Sequence, residues 1–88
     1  MKVNFAQIEI EGLEGKEKLD VRKALGNYLY YQSRDLAGSQ LGKDIYLSKA
    51  DIELDDEKIK LVQEAVEKMY QSYIIKVALK KALGVNKG

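Results

Sequence analysis

The chain has 88 residues, 45% of them apolar, and its 15 basic and 14 acidic side chains give a formal charge of +1. That length supports one domain with a modest core, and the charge balance excludes an argument for nucleic acid or an anionic membrane from net charge alone. Cysteine is absent, which excludes disulfides, thiolate chemistry and cysteine metal ligands.

The N-terminal pattern predicts a β-hairpin. Residues 2–10, KVNFAQIEI, alternate apolar and polar side chains with one slip of phase, as in a strand that carries a bulge. Gly12 and Gly15 tolerate positive φ, so a second strand ending at Leu19 completes the hairpin. Two strands are not stable alone, and we expect helices to pack on them.

A first helix is expected from Val21, with Asp20 as its cap. Stepping 100° per residue, as a helix does, places the three tyrosines of LGNYLYY in different directions. Tyr28 lies within the apolar stripe and Tyr31 at its edge, whereas Tyr30 points nearly opposite, beside Gly26. The three rings therefore do not form one stacking platform.

The pattern of residues 32–50 does not determine where the first helix ends and the next one begins. The first helix ends either near Ser33 or at Gly38, and the next segment carries Leu41, Ile45 and Tyr46 on one side. Glycines four apart in GSQLG admit the close approach of another backbone. The same letters also fit a frayed helix or a turn.

The segment ADIELDDEKIKLVQEAVEKM gives the clearest pattern. IEL predicts a short extended piece that can add to the hairpin as a third strand, and Asp55 is a good cap for the helix that follows. Asp56 and Glu57 place negative charge at the favourable end of the helix dipole. The apolar face of this helix comprises Ile59, Val62, Ala65, Val66 and Met69.

The last helix, in YQSYIIKVALKKALG, is apolar on two sides and ends with Gly84 as its C′ residue. One face comprises Tyr70, Tyr73, Ile74 and Val77, and the other comprises Ile75, Leu79 and Ala82. If the first face packs on the strands and the preceding helix, so small a domain has nothing left to cover the second. The alternative is a helix enclosed by its own chain. The candidate interface is Tyr30, Ile75, Leu79 and Ala82.

Charge is polarised near the C-terminus. Residues 51–67 carry a net charge of −5, whereas residues 68–88 hold five lysines and no acid. One interpretation is a phosphate-binding patch, and the other is docking between this basic end and an acidic helix of another copy or partner. Arginine is absent from the basic end, which weakens the nucleic-acid interpretation. The candidate basic patch is Lys76, Lys80, Lys81 and Lys87.

No catalytic, metal-binding or cofactor-binding motif is recognisable. The four serines have no histidine or cysteine beside them, and the adjacent Asp55 and Asp56 fit ordinary capping charges. GLEGKE lacks the Walker spacing, and ADIELDDE lacks the central glycine of an EF-hand loop. We therefore expect a non-enzymatic protein without a cofactor.

Taken in order, the patterns are a strand-first opening, a glycine turn, LGNYLY, KDIY, IELDDEKIKLVQEAVEKM and a basic terminal helix. This layout resembles small uncharacterised proteins encoded by phages and prophages, often among virion structural and assembly genes. The likeness covers residues 2–84 and carries no catalytic or ligand motif across. It implies an assembly or adaptor role.

These patterns predict one α+β domain over residues 1–84, in which an N-terminal β-hairpin is packed by three or four helices, and a disordered tail at 85–88. The predicted function is protein–protein interaction or assembly through the C-terminal helix, with a protein partner or a homo-oligomer. The alternative is a small nucleic-acid-binding or regulatory protein that uses the lysine-rich end. No apolar run approaches membrane-spanning length and no secretory signal is recognisable, so we expect a cytoplasmic location.

Overall fold

A computed structural model describes residues 1–84, which form an α+β fold of four helices and two small antiparallel sheets. The elements are β1 (Lys2–Val3), β2 (Ile8–Gly12), β3 (Gly15–Leu19), α1 (Arg22–Gln32), α2 (Leu36–Leu47), β4 (Ile52–Glu53), α3 (Asp56–Met69) and α4 (Tyr73–Ala82). The predicted α+β class and the N-terminal hairpin are confirmed. The predicted tail at 85–88 lies outside the described residues.

The prediction of one strand over residues 2–10 is wrong, because a turn divides it into β1 and β2. The amide of Gln7 donates to the carbonyl of Asn4 at 3.1 Å, and the Asn4 side chain accepts from the amide of Ala6 at 3.0 Å. An asparagine that bonds two residues ahead favours such a turn. The slip of phase in the sequence marks this turn.

The predicted short third strand is present as β4, but it does not join the hairpin. It pairs with β1, with Lys2 opposite Glu53 and Val3 opposite Ile52. The hairpin of β2 and β3 forms its own sheet, with Ile8 opposite Leu19. The turn at residues 4–7 separates β1 from that hairpin, so the backbone groups of β1 find their partners in β4.

The two middle helices form a helical hairpin. Of the two predicted ends for α1, the structure has the one at Ser33, and α2 starts after Asp35, whose side chain accepts from the amide of Gly38 at 3.0 Å. Gly26 of α1 and Gly42 of α2 are both buried where these helices meet. Close backbone approach is therefore the correct interpretation for Gly42.

The two C-terminal helices, α3 and α4, each begin after a polar residue whose side chain accepts a backbone N–H group of the first turn. Asp55 accepts from the amide of Lys58 at 2.9 Å, and Ser72 accepts from the amide of Ile75 at 3.3 Å. Gly84 follows α4 with a φ of 72°, which confirms its predicted C′ position.

One hydrophobic core joins all four helices and the strands. Within residues 1–84, none of the helices has the length and apolar content that crossing a bilayer requires. The most deeply buried large side chains of the core are Phe5, Ile8, Val21, Leu25, Ile45, Leu54, Val62, Val66, Leu79 and Leu83.

Candidate interaction surface

The face of α4 expected to be uncovered is the face that packs on the core. Leu79 is 0% exposed, and Ile75 and Ala82 are partly buried against the same cluster of apolar residues. The helix lays this side against β2 and α3. This burial contradicts the prediction of a free contact surface for Leu79, whereas Ile75 and Ala82 keep part of their side chains exposed.

The outer face of α4 is part of the side that we expected to be covered. Tyr73 is 76% exposed and Ile74 is 44% exposed. These two residues and Val77 line one side of a groove of about 390 Å³ between α4 and β2. Ile10 of β2 also lines this groove. The helix is apolar on two sides, as predicted. Of the face expected to pack on the core, Tyr73 and Ile74 are exposed, whereas Tyr70 packs on the core.

The candidate basic patch is partly neutralised by one carboxylate. Glu67 of α3 forms ion pairs with Lys80 and, at 3.8 Å, with Lys76. The hydrogen bond and charge of Lys80 lower the pKa of the Glu67 carboxyl, with a smaller contribution from Lys76. Lys81 is exposed at the groove beside β2, and Lys87 lies outside the described residues.

The outward position of Tyr30 is confirmed, and it has neighbours that the sequence did not indicate. Its ring centroid lies 5.0 Å from that of Tyr31, with the two planes at 86° in an edge-to-face pair. Tyr46 and Leu47 of α2 are exposed on the same side and line a common notch with both rings. We call Tyr30, Tyr31, Tyr46 and Leu47 the tyrosine surface.

The notch within the tyrosine surface has a volume of about 310 Å³ and lies between α1 and α2. Gly26 and Gly42 also line it. Because glycine has no side chain, the two helices approach closely here. The rings of Tyr30 and Tyr31 on α1 and of Tyr46 on α2 lie next to this crossing. Two closely packed helices therefore hold the four side chains that form the surface.

Sequence reasoning missed Tyr46 and Leu47 because it placed Tyr46 with the buried Leu41 and Ile45. A residue next to Ile45 is turned by about 100° on a helix, which carries it away from the core. Gly42 could have indicated the position of Tyr46. A glycine that lets a second helix approach brings that helix close to residues one turn away, and Tyr46 lies one turn after Gly42.

A third concave region lies between α1 and α3. This cleft of about 360 Å³ is lined by side chains of both charges, including Arg34, Asp35, Glu64 and Lys68, together with Tyr28. Tyr28 packs against the core, as its place in the apolar stripe predicts. Residues 1–84 contain no group of three acidic side chains close enough to hold a metal ion.

No protein-family model, no curated protein and no solved structure matches the chain. The resemblance to phage-encoded proteins stays a prediction.

Proposed function

We propose that this protein is a non-enzymatic interaction or assembly module that binds a protein partner through the tyrosine surface. The observation that carries the proposal is the grouping of four exposed large side chains, from two helices, around one notch. Tyr31 and Leu47 are the most exposed of the four, at 74% and 61%. Contiguous exposed apolar side chains in a small protein mark interaction sites more often than single ones do.

Tyrosine suits such a contact because its ring buries a large area while its hydroxyl keeps a hydrogen-bonding group. The rings of Tyr30 and Tyr31 already contact each other, so their ordering on binding costs less side-chain entropy than that of free rings. The role agrees with the one implied by the resemblance to phage-encoded assembly proteins.

The alternative, nucleic-acid binding, is less well supported. Two of its four lysines share the carboxylate of Glu67, which reduces the positive charge available to phosphates. The perpendicular rings of Tyr30 and Tyr31 do not offer two parallel faces for successive bases. The same arrangement is compatible with a protein contact, where edge-to-face aromatic packing is common.

The test compares wild type, the double variant Tyr31→Ser plus Leu47→Ser, and the matched control Tyr73→Ser. Tyr73 is as exposed as Tyr31 but lies on α4. Each protein is used for affinity capture with mass-spectrometric identification and for sedimentation velocity over a concentration series. We expect a specific partner, or self-association, that the control retains and the double variant loses. Equal behaviour of all three proteins would remove the proposal.

A further inference from the structure

The outer face of α2 is exposed along the whole helix. Because residues step by about 100° around a helix, the buried Leu41 and Ile45 lie on one side of α2. The opposite side carries a stripe of exposed residues at the alternating spacing of a helix–helix seam. This outer stripe of α2 consists of Leu36, Gln40, Lys43 and Leu47. Its two end residues, Leu36 and Leu47, are 81% and 61% exposed.

The outer stripe is symmetric about the middle of α2. Leu36 and Leu47 are the first and last residues of the helix, and Gln40 and Lys43 lie equally far from its centre. If a second copy lays its α2 antiparallel on this one about a two-fold axis, each leucine therefore meets the leucine at the other end of the second α2. A two-fold contact needs a face that complements itself, and the ends of the stripe meet this condition.

The charges at the stripe also complement themselves. Lys43 and Asp44 are exposed neighbours, and neither forms an ion pair with a side chain of residues 1–84. The Gln40 side chain donates to the Asp44 carboxylate at 3.0 Å, which holds this carboxylate next to the stripe. In the antiparallel arrangement, Lys43 of the second copy lies opposite Gln40 and so reaches the same carboxylate. The four charged groups of the contact then form two opposite-charge pairs.

We infer that the outer stripe of α2 and the adjoining notch of the tyrosine surface bind a second copy of the chain in an antiparallel two-fold contact. Leu36 of each copy packs on Leu47 of the other, and Lys43 of each pairs with Asp44 of the other. This inference rests on the proposed function and identifies the partner. Because Leu47 lines the notch, the leucine opposite it supplies the apolar side chain that the notch can receive.

The hairpin tip of a second copy is a less complete match to this surface. Leu13 at the tip is fully exposed, and Glu11 and Glu14 flank it. At the notch these carboxylates would meet Asp44 as well as Lys43, so charge does not favour their approach. The tip also offers a single apolar side chain, whereas a second α2 offers a partner for every residue of the outer stripe.

Sedimentation velocity over a concentration series measures the association. Wild type is compared with Leu36→Ser and with the matched control Leu13→Ser, because Leu13 is also an exposed leucine but lies at the hairpin tip. Circular dichroism checks that both variants remain folded, as their exposed positions predict. We expect a wild-type dimer that Leu13→Ser retains, and a dimer Kd at least about tenfold higher in Leu36→Ser.

An exchange of charge tests the pairing between the two copies. Lys43→Glu places carboxylates against each other and Asp44→Lys places ammonium groups against each other, so each variant alone should dimerise at least about tenfold more weakly than wild type. An equimolar mixture of the two variants should associate again, since both pairs in the mixed dimer join opposite charges. Lys60→Glu, at an exposed position of α3, is the charge control and should dimerise like wild type.

A wild-type chain that stays monomeric at all concentrations would overturn the inference, and the proposed function would stand if affinity capture still gives a partner that needs Tyr31 and Leu47. With neither association nor such a partner, both fail. Association that is lost in Leu13→Ser and kept in Leu36→Ser would assign the contact to the hairpin tip and overturn the inference. A mixture of Lys43→Glu and Asp44→Lys that associates no better than either variant alone would also overturn it.

Discussion

Gly26 and Gly42 meet where α1 crosses α2, each occupying the space that a side chain on the other would need. A Cβ atom on Gly26 would lie 2.8 Å from the carbonyl oxygen of Gly42, and one on Gly42 would lie 2.7 Å from the carbonyl oxygen of Gly26. Real Cβ atoms essentially never approach other atoms that closely. The contact fixes the distance between the two helices and thereby the width of the notch in the tyrosine surface.

Gly26→Ala should therefore destabilise the protein, although alanine favours helices. The gain in helix propensity is about 1 kcal/mol, whereas forcing extra volume into a packed contact costs about 1–3 kcal/mol and moves backbone here rather than a flexible side chain. Urea denaturation monitored by circular dichroism measures the change in the free energy of unfolding. Asn27→Ala, at the exposed neighbouring position, is the control and should be neutral or stabilising. A Gly26→Ala protein more stable than wild type would contradict the close crossing.

The orientation of α4 gives a second prediction. Leu79 is fully buried and Tyr73 is mostly exposed, so Leu79→Ala should lower the free energy of unfolding by about 2–5 kcal/mol. Tyr73→Ala, on the outer face of the same helix, should change it by about 0.5 kcal/mol or less. Chemical denaturation of the two variants measures both values. The reverse order would mean that α4 lies on the core with its other face.

Asp20 should titrate at unusually low pH. Arg22 donates hydrogen bonds to the Asp20 carboxyl from its side chain and from its backbone amide. These bonds, of which the side-chain ones have the larger effect, lower the pKa of that carboxyl from 3.8 to about 2. Because the pKa is lowered in the folded state, the stabilising effect is complete above the unfolded-state value of 3.8 and is lost as the pH falls toward 2.

NMR titration of the Asp20 carboxyl carbon in wild type and in Arg22→Met measures this effect directly. In the variant, we expect the pKa to return toward 3.8. The difference in denaturation midpoint between the two proteins should also narrow as the pH falls below the unfolded-state value. An unchanged Asp20 titration in the variant would mean that Arg22 does not hold this carboxylate in solution.

Glu67→Gln separates the two functional interpretations of the lysine-rich end. The substitution removes the carboxylate shared by Lys76 and Lys80, so a true phosphate-binding patch should bind polyanions more tightly in the variant. We expect that neither wild type nor Glu67→Gln binds single-stranded DNA, measured by fluorescence anisotropy at low salt. Binding that strengthens in Glu67→Gln and disappears in Lys80→Glu plus Lys81→Glu would favour the nucleic-acid alternative.

Local signals alone determined much of this fold. The turn glycines Gly12 and Gly15 and the alternating residues around them predicted the hairpin, and Asp55 with the charges after it predicted the start of α3. Such features act over one turn or one cross-strand pair, so a sequence window contains the interacting groups. The outward direction of Tyr30 could be predicted for the same reason.

Only the tertiary structure decided the partner of β4, the face of α4 that meets the core, and the grouping of Tyr46 and Leu47 with Tyr30 and Tyr31. Each depends on residues far apart in the chain: β1 pairs with β4 across about fifty positions, and the tyrosine surface exists because Gly26 admits α2. The spacing of apolar residues in a helix with two apolar faces is the same whichever face is buried, so the spacing does not select the face. The choice is made by the shape of the remaining core, which no local pattern encodes.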